Sequence, residues 1–362
     1  METTDVYAFG AGASAALKVP LTKDFLLAGF HTFCLSPLNY FNNFPKGSFY
    51  EVARFIDTLY GSDIEKEISG AATGNEVRIV SPRLPAGITI EHLLTFVDLA
   101  IANGDSWMDF GAVKHALHDF IFETLDYATK SKYGGSWHGQ IKDNPNIYDR
   151  FVRDRVDLNA RNFFITFNYE LLLDYALWEI HPRMCADYSL DFVHVNLWPQ
   201  YDEMRQRGRS ASDADLLKLH GSLNWARCEQ CGFYLFSFQT YNGLRSEVCQ
   251  KCGATLSPVL VPPTLRKNIA AYGIGQLWLR AEEALSAADR ITIIGYSFPD
   301  ADVEAQWLFK RAVAKGGKKP KLTIVEPCLA VRKKIVELFG KTVADPVYVQ
   351  DFESYVGESS TS

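Results

Sequence analysis

The stretch RITIIGYSFPDADVEAQWLFKRAVAKGGKKPKLTIVE, residues 290–326, decides the fold. It begins and ends with short runs rich in β-branched residues, 290–294 and 322–325, a pattern typical of buried parallel strands. Residues 302–315 between them have a helical pattern. The stretch therefore predicts a strand–helix–strand unit, the building block of a parallel sheet.

Similar signals occur along the rest of the chain. Residues 91–101 and 113–128 each place apolar side chains on one helical face. We therefore predict an α/β fold, with a Rossmann-like, mostly parallel sheet and a helical insertion. Two Cys-x-x-Cys pairs between residues 228 and 252 add a small zinc-ribbon module. Further strands are predicted at Val6–Phe9, Asn162–Phe167, Phe192–Asn196 and Leu216–Leu219.

The predicted domains follow from where these patterns change. The Rossmann-like domain is predicted to combine residues 1–30, 156–226 and 255–356. A mostly helical insertion spans 31–155, and the zinc ribbon spans 227–254. Residues 131–146 are predicted to form a loop, and the tail 357–362 is predicted to be disordered.

The composition describes an ordinary soluble globular protein. The chain has 362 residues, 47% hydrophobic and 22% charged, with a net charge of −6. No long Lys/Arg stripe is present, so direct nucleic-acid binding is not expected. No signal peptide or run of eighteen apolar residues is visible, so we expect a cytoplasmic protein without a membrane partner.

Two Cys-x-x-Cys pairs predict a metal site. Cys228 and Cys231 are separated from Cys249 and Cys252 by 17 residues, which is zinc-ribbon spacing. Cytoplasmic thiols stay reduced, which favours metal ligands over disulfides. Four thiolates fill the coordination of zinc, so the predicted role is structural, with a redox pair or an iron–sulfur centre as the alternatives.

The remaining cysteines lack this spacing. We predict them to be small buried hydrophobic residues. They are Cys34, Cys185 and Cys328.

A glycine loop follows the first predicted strand. Gly10-Ala11-Gly12-Ala13-Ser14 leads into an Ala-rich stretch and fits the dinucleotide fingerprint. The same glycines also occur in plain tight turns. An ordinary dehydrogenase would in addition carry an acidic residue near position 30, and this sequence has none there.

Four strings of polar residues follow predicted strands. Ligands bind parallel sheets at the carboxyl ends of the strands, so these strings are expected to lie on one rim. They are Thr166-Phe167-Asn168, Leu219-His220-Gly221-Ser222, Ile294-Gly295-Tyr296-Ser297 and Ile324-Val325-Glu326-Pro327.

The order of these motifs resembles the sirtuin (Sir2) superfamily. The glycine loop is followed by T-x-N, then His-Gly, two Cys-x-x-Cys pairs, a G-x-S loop and a last strand. The matching segments are 6–26, 163–174 and 216–328. The strings LHGSLNW and IIGYSFPDAD look most like the Sir2-like NAD-hydrolysing domains of bacterial antiphage defence systems.

The resemblance implies an NAD+ site. In sirtuins the histidine is a general base toward a ribose hydroxyl, and the asparagine orients the substrate or a water. The implied catalytic residues are therefore His220 and Asn168. The implied cofactor-binding residues are Gly10, Ala11, Gly12 and Ser14 at the pyrophosphate, Thr166 and Asn168 at the nicotinamide side, Gly295 and Ser297 at the adenosine side, and Val325 and Glu326 near the adenine.

The departures from the family pattern concern the acylated peptide. Leu21, Thr22 and Lys23 stand where deacylases have Asp, Phe and Arg. Pro262 and Pro263 stand where deacylases have a strand that pairs with the acyl-lysine peptide, and proline has no N–H to donate. These departures disfavour deacylation.

The predicted function is therefore an NAD+ hydrolase that releases nicotinamide and ADP-ribose. Its predicted role is an antiphage effector that acts by NAD+ depletion. The alternatives are an NAD-dependent protein-lysine deacylase and a non-catalytic NAD or ADP-ribose binding module. We expect a homo-oligomer, and family analogy adds a separately encoded sensor or HerA-like ATPase as a possible partner.

Plainer interpretations exist for the individual residues. His220 could be a buried histidine satisfied by backbone groups. Asn168 could cap the helix that follows its strand. Asp300 and Asp302 are predicted to cap the helix that begins at Val303 rather than to contact a ribose.

Overall fold

The structure is a computed structural model that describes residues 2–35, 45–70, 80–130, 145–179, 186–190, 192–194, 214–236, 248–261 and 269–357. Its strands are β1 Thr4–Phe9, β2 Arg161–Thr166, β3 Ala186–Asp187, β4 Phe192–His194, β5 Ala214–Lys218, β6 Gly221–Cys228, β7 Tyr234–Phe236, β8 Leu256–Leu260, β9 Arg290–Ile294, β10 Lys321–Val325 and β11 Val347–Val349.

Twelve α-helices lie in the same described ranges. They are α1 Ala11–Ala15, α2 Phe25–Leu35, α3 Lys46–Tyr60, α4 Ile64–Ser69, α5 Ile90–Asn103, α6 Phe110–Lys130, α7 Ile147–Arg155, α8 Leu172–Glu179, α9 Gly275–Ala287, α10 Val303–Lys315, α11 Leu329–Phe339 and α12 Phe352–Gly357.

The main sheet is parallel throughout. Its seven strands lie in the order β11-β10-β9-β1-β2-β5-β3. The interior residues of β1, β2, β5, β9 and β10 are mostly buried, as expected for strands covered on both faces. The predicted α/β fold with a mostly parallel sheet is confirmed.

The strand order reverses at the centre of this sheet. After β1 the chain first forms β2, β3 and β5 on one side of it, and later β9, β10 and β11 on the other side. Strands β1 and β9 therefore flank a topological switch point. Open α/β sheets bind ligands in the crevice that forms there, beyond the carboxyl ends of the strands.

A second sheet carries the cysteines. Its four strands lie in the order β4-β7-β6-β8, and β6 is antiparallel to both β7 and β8. The predicted strand at residues 192–196 is observed at Phe192–His194, in this sheet, and residues 195–196 lie outside the described ranges.

The contacts divide the described chain into two compact units. One contains residues 1–19, 131–261 and 268–362, and therefore both sheets. The other contains 20–130 and 262–267, and therefore α2 to α6. The predicted helices at 91–101 and 113–128 are observed as α5 and α6. The predicted limits of the Rossmann-like domain, helical insertion and zinc ribbon stay predictions.

The helical unit has an aromatic core. Phe120 packs edge-on to Phe30 and lies 4.7 Å from Phe49, centroid to centroid. A Cβ atom at Gly29 would lie 2.1 Å from the Phe120 ring, so a glycine allows α2 and α6 to approach closely. No helix among the described residues is long and apolar enough to span a bilayer.

The cysteines outside the metal motif differ from one another. Cys34 is buried, as predicted. The prediction for Cys328 is wrong, because this residue is exposed just beyond the end of β10. Cys185, residues 131–144 of the predicted loop 131–146 and residues 358–362 of the predicted tail 357–362 lie outside the described residues. Gly357 is the last residue of α12 and is therefore not disordered as predicted.

Candidate active site

Two glycine-containing loops meet at the switch point. The Gly10 N–H donates to the Ile294 carbonyl at 3.1 Å, and the Gly12 N–H donates to the Gly295 carbonyl at 2.9 Å. Gly295 has φ +59°, and a Cβ atom there would lie 2.1 Å from the Ala13 nitrogen. The glycines are therefore required for the two backbones to touch, whatever ligand the crevice takes.

Asn168 lies directly over the glycine loop. Its Nδ2 donates to the Gly10 carbonyl at 3.0 Å, and to Ser14 Oγ and Glu170 Oε1 at 3.2 Å each. Its backbone N–H donates to Thr166 Oγ1 at 3.1 Å. The helix that follows begins only at Leu172, so the interpretation of Asn168 as its cap is wrong.

The orientation of this amide is fixed by its partners. A carbonyl oxygen only accepts hydrogen bonds, so the nitrogen of Asn168 must face Gly10 and the oxygen must face away. Within the described residues, Asn168 Oδ1 accepts no hydrogen bond. This oxygen is therefore available to accept a hydrogen bond from a ribose hydroxyl or a water.

Ser14 is held by two further groups below the loop. Its hydroxyl donates to Glu170 Oε1 at 2.6 Å and lies 2.8 Å from the Tyr148 hydroxyl. Burial raises the pKa of Glu170, and the charge of Lys218 opposes this rise. Burial and the Glu170 carboxyl both raise the pKa of Tyr148, which keeps its proton.

His220 lies at the carboxyl end of β5, as the sequence predicts. The Leu219 N–H donates to the Thr166 carbonyl at 3.0 Å, and the Val261 N–H donates to the His220 carbonyl at 2.9 Å. The imidazole packs edge-on to Phe167, with the ring centroids 5.1 Å apart. Phe167 precedes Asn168, so both predicted catalytic side chains lie on the same rim.

The ring of His220 is not satisfied by backbone groups. Its side chain is 7% exposed, and its Nε2 makes no hydrogen bond to any described residue. Asp302 Oδ1 lies 3.5 Å from this Nε2. The interpretation of His220 as a satisfied core histidine is therefore wrong.

Asp302 is also placed differently from the prediction. It occupies the position before α10, yet its side chain accepts no hydrogen bond from the helix. One carboxylate oxygen instead accepts the hydroxyl hydrogen of Tyr296. Asp300 bonds to Lys334 at 2.6 Å. The prediction that the Asp302 side chain caps this helix is therefore wrong. The Asp300 side chain makes no hydrogen bond to the first turn of the helix among the described residues either.

Tyr296 completes this side of the site. Its ring stacks on Phe167 at 4.0 Å between centroids, with 9° between the ring planes. Burial and the Asp302 carboxyl raise the pKa of Tyr296 well above its usual value, so the hydroxyl stays a donor. Phe167 therefore contacts both Tyr296 and His220.

A buried charged pair lies beneath both catalytic candidates. Lys218 Nζ bonds to Asp174 Oδ2 at 2.8 Å and to the Glu170 carbonyl at 2.7 Å. The side chains of Lys218 and Asp174 are 0% and 1% exposed. Tyr188 donates its hydroxyl hydrogen to Asp174, and Asn224 of β6 donates to Tyr188 at 3.3 Å. These contacts connect β5 and the segment after β2 with the second sheet.

Sequence reasoning missed these supporting residues. The signal for Lys218 was a cation inside the apolar run LLKLHG, since a buried lysine requires a partner. Glu170, Tyr148 and Asp174 gave no comparable signal, because their partners are distant in the sequence.

The other predicted cofactor residues lie on the same rim. The Gly295 N–H donates to the Val325 carbonyl at 3.0 Å, and Val325 is buried. Glu326 and Ser297 are half-buried, and Ala11 is exposed. Their contacts with NAD+ stay predictions.

The four cysteines of the two Cys-x-x-Cys pairs form one cluster. Their sulfur atoms lie within 4.8 Å of one another, with Cys228–Cys252 at 3.5 Å and Cys231–Cys249 at 3.3 Å. A tetrahedral zinc with Zn–S bonds of about 2.3 Å needs sulfurs separated by about 3.8 Å. The cluster could therefore hold one zinc ion after a small expansion.

The two turns around the sulfurs have the same geometry. Gly232 and Gly253 both have φ +74°, and their N–H groups donate to the carbonyls of Cys228 and Cys249 at 2.8 Å. Both glycines occupy the left-handed conformation that the turn requires. Strand β6 runs directly from Gly221, beside His220, to Cys228.

We expect about one zinc per chain in freshly purified protein, measured by inductively coupled plasma mass spectrometry. Cys252→Ser should lower the zinc content, because it removes one thiolate of the set. Cys328→Ser is the matched control, since Cys328 is exposed and outside the cluster, and it should retain the metal. Less than about half an equivalent in the unchanged protein would refute the four-thiolate site.

A cavity of about 840 Å³ lies at the opposite, amino-terminal ends of the strands. Its lining includes Asp5 and Arg290, which already bond to each other at 2.6 Å. The cavity contains none of the predicted site residues. The candidate site is therefore the crevice at the carboxyl ends, and not this cavity.

No protein-family model matches the sequence, and no curated protein sequence is significantly similar to it. Sir2 proteins are among the solved structures that resemble the chain. A Sir2 enzyme is 15% identical over 98% of this chain and 89% of its own, with a TM-score of 0.40. A Sir2 homologue in complex with NAD is 15% identical over 97% of this chain and 86% of its own, with a TM-score of 0.43.

A mutant Sir2 homologue in complex with ADP-ribose gives similar values. It is 13% identical over 97% of this chain and 88% of its own, with a TM-score of 0.43. TM-scores below 0.5 do not establish a common fold, so the fold assignment rests on the strand order of this chain itself.

Proposed function

We propose that this protein is an NAD+ hydrolase that cleaves NAD+ to nicotinamide and ADP-ribose. The observation that carries the proposal is the placement of Asn168 Oδ1 and the His220 imidazole on one rim, beside the glycine loop at the switch point. A hydrogen-bond acceptor and a general base are the two groups that water needs for attack on a glycosidic carbon.

The proposed reaction needs no second substrate. The bond between C1′ of the ribose and the nicotinamide nitrogen breaks, and nicotinamide leaves with the electron pair. Water attacks the oxocarbenium-like C1′, and one of its protons passes to His220 and then to solvent. The products are nicotinamide, ADP-ribose and one proton.

The residues around these two groups suit this reaction. Gly10, Ser14 and Glu170 fix the amide of Asn168, so its oxygen needs no reorganisation to meet a water. Phe167 and Tyr296 form an apolar wall beside His220. Such a wall limits access of bulk water and strengthens the electrostatic interactions inside the site.

The proposed biological role rests on the sequence motifs. LHGSLNW and IIGYSFPDAD resemble the Sir2-like domains of antiphage defence systems. We therefore propose a cytoplasmic effector that depletes NAD+, acts as a homo-oligomer and depends on a separately encoded sensor or HerA-like ATPase. The bound zinc would be structural.

The proposal is tested by incubating the purified protein with NAD+ and no acylated peptide, at several protein concentrations, and measuring nicotinamide by chromatography. We expect release that Asn168→Ala lowers about 10²-fold or more, because the attacking water loses its acceptor. Asn159→Ala is the matched control, since Asn159 is an exposed asparagine in a turn, and it should keep full activity.

Two results would contradict the proposal. Nicotinamide release that requires an acyl-lysine peptide would indicate a deacylase. Bound NAD+ or ADP-ribose without turnover under either condition would indicate a binding module.

A further inference from the structure

Asp302 is a buried carboxylate in contact with the proposed base. Its side chain is 4% exposed, and its Oδ1 lies 3.5 Å from His220 Nε2. Burying a carboxylate is costly unless specific partners compensate for it. The hydroxyl of Tyr296 is one such partner, on the other carboxylate oxygen.

The two contacts orient the carboxylate. Tyr296 is itself fixed by stacking on Phe167, 4.0 Å away, and Phe167 also packs on the His220 ring. The hydroxyl of Tyr296, the carboxylate of Asp302 and the imidazole of His220 therefore form a series, enclosed by one aromatic wall. An orienting carboxylate on one nitrogen of a basic imidazole is the arrangement found in Ser–His–Asp triads.

We infer that Asp302 is a positioning residue for His220, which accepts a hydrogen bond from Nε2–H and so makes Nδ1 the nitrogen that takes the proton of the attacking water. This inference rests on the proposed hydrolysis. A shift of a few tenths of an ångström closes the 3.5 Å separation to a hydrogen bond. Catalytic hydrogen bonds are often long before the substrate binds.

The carboxylate has two effects on the reaction. It holds the neutral imidazole in the tautomer with the proton on Nε2, so that Nδ1 is a free acceptor. It also stabilises the imidazolium that forms when Nδ1 takes the proton. Neither effect requires Asp302 to touch NAD+.

Asp302→Asn is the decisive variant. The amide oxygen can still accept from Tyr296, while the amide nitrogen donates to Nε2 and forces the ring proton onto Nδ1. In triads this change lowers kcat by about 10⁴ through the wrong tautomer. We expect kcat to fall by about 10²-fold or more here, while KM and the Kd of NAD+ change by less than about threefold.

The tautomer is measured directly by NMR on protein labelled with ¹⁵N-histidine. The His220 signals are identified by their absence in His220→Ala. We expect the proton on Nε2 in the unchanged protein and on Nδ1 in Asp302→Asn. A merely structural role of Asp302 would not produce this exchange.

Asp300→Asn is the matched control. It removes the same charge two residues earlier, from a side chain that is 95% exposed and bonded to Lys334. Both kcat and the His220 tautomer should remain unchanged. Tyr296→Phe keeps the ring stack and removes only the hydroxyl, so we expect a smaller loss of kcat than for Asp302→Asn.

The outcomes separate the two proposals. One outcome is that the ring proton lies on Nε2 in the unchanged protein and on Nδ1 in Asp302→Asn, while the unchanged protein releases no nicotinamide. This result supports the positioning contact and refutes the proposed hydrolase. Nicotinamide release that Asp302→Asn leaves unchanged refutes the positioning role. An Nδ1–H tautomer in the unchanged protein also refutes it, even if the variant does not fold.

Discussion

His220→Ala is expected to lower the rate of nicotinamide release by about 10²- to 10⁴-fold, the usual contribution of a general base. The affinity for NAD+ should change little, because the imidazole acts mainly in the transition state. The measurement is kcat for nicotinamide release, together with the Kd of NAD+ by calorimetry. The variant should fold, since the backbone carbonyl of residue 220 keeps its bond from the Val261 N–H.

The control for this prediction is a histidine outside the site. His115 lies on α6 with a side chain that is 71% exposed, and His115→Ala should retain full activity. A His220→Ala protein that keeps more than about a tenth of the rate would exclude the imidazole as the general base. A loss that appears only as a raised KM would point instead to a role in substrate binding.

Asp174→Asn is expected to destabilise the protein by about 3–5 kcal/mol, the usual effect of removing one partner from a buried ion pair. The Lys218 ammonium is 0% exposed and would lose the carboxylate to which it bonds at 2.8 Å. The measurement is the midpoint of chemical denaturation. Catalysis should fall as well, because Lys218 also bonds to the Glu170 carbonyl and precedes His220 by two residues.

Two further variants make this prediction specific. Asp300→Asn breaks an exposed pair with Lys334 in the same unit and should cost about 0–1 kcal/mol. The double variant Asp174→Asn with Lys218→Met removes the buried charge altogether and should recover much of the lost stability. Equal destabilisation in the single and double variants would contradict the account based on an uncompensated charge.

The parallel sheet could be predicted from the sequence because each of its main strands is a short apolar run that is recognisable without knowledge of its neighbours. The run from Arg290 to Val325 contains two strands and their helix in one continuous stretch, and the carboxyl ends of such strands always share a rim. The cysteine cluster was predictable for the same reason, since each Cys-x-x-Cys pair forms a local turn.

The contacts between distant segments were not predictable in this way. Asp302 has the local features of a helix cap, and only the strand order brings it to His220. Lys218 is a single cation in an apolar strand, and only the fold places Asp174 beside it. The exposure of Cys328 likewise depends on which segments cover the end of β10, and no local sequence pattern predicts those segments.

Strand β6 shifts its pairing against β8 between Gly221 and Ala226. An antiparallel pair can slip along its length, and a slip of one residue turns every side chain to the opposite face. The pair Cys228–Leu256 lies at the cysteine end, and Gly221–Leu260 lies beside the histidine. Because the register changes between them, different contacts align the two ends: the turns around the cysteines at one end, and at the other Gly221, where a Cβ atom would lie 1.9 Å from the Val259 carbonyl oxygen.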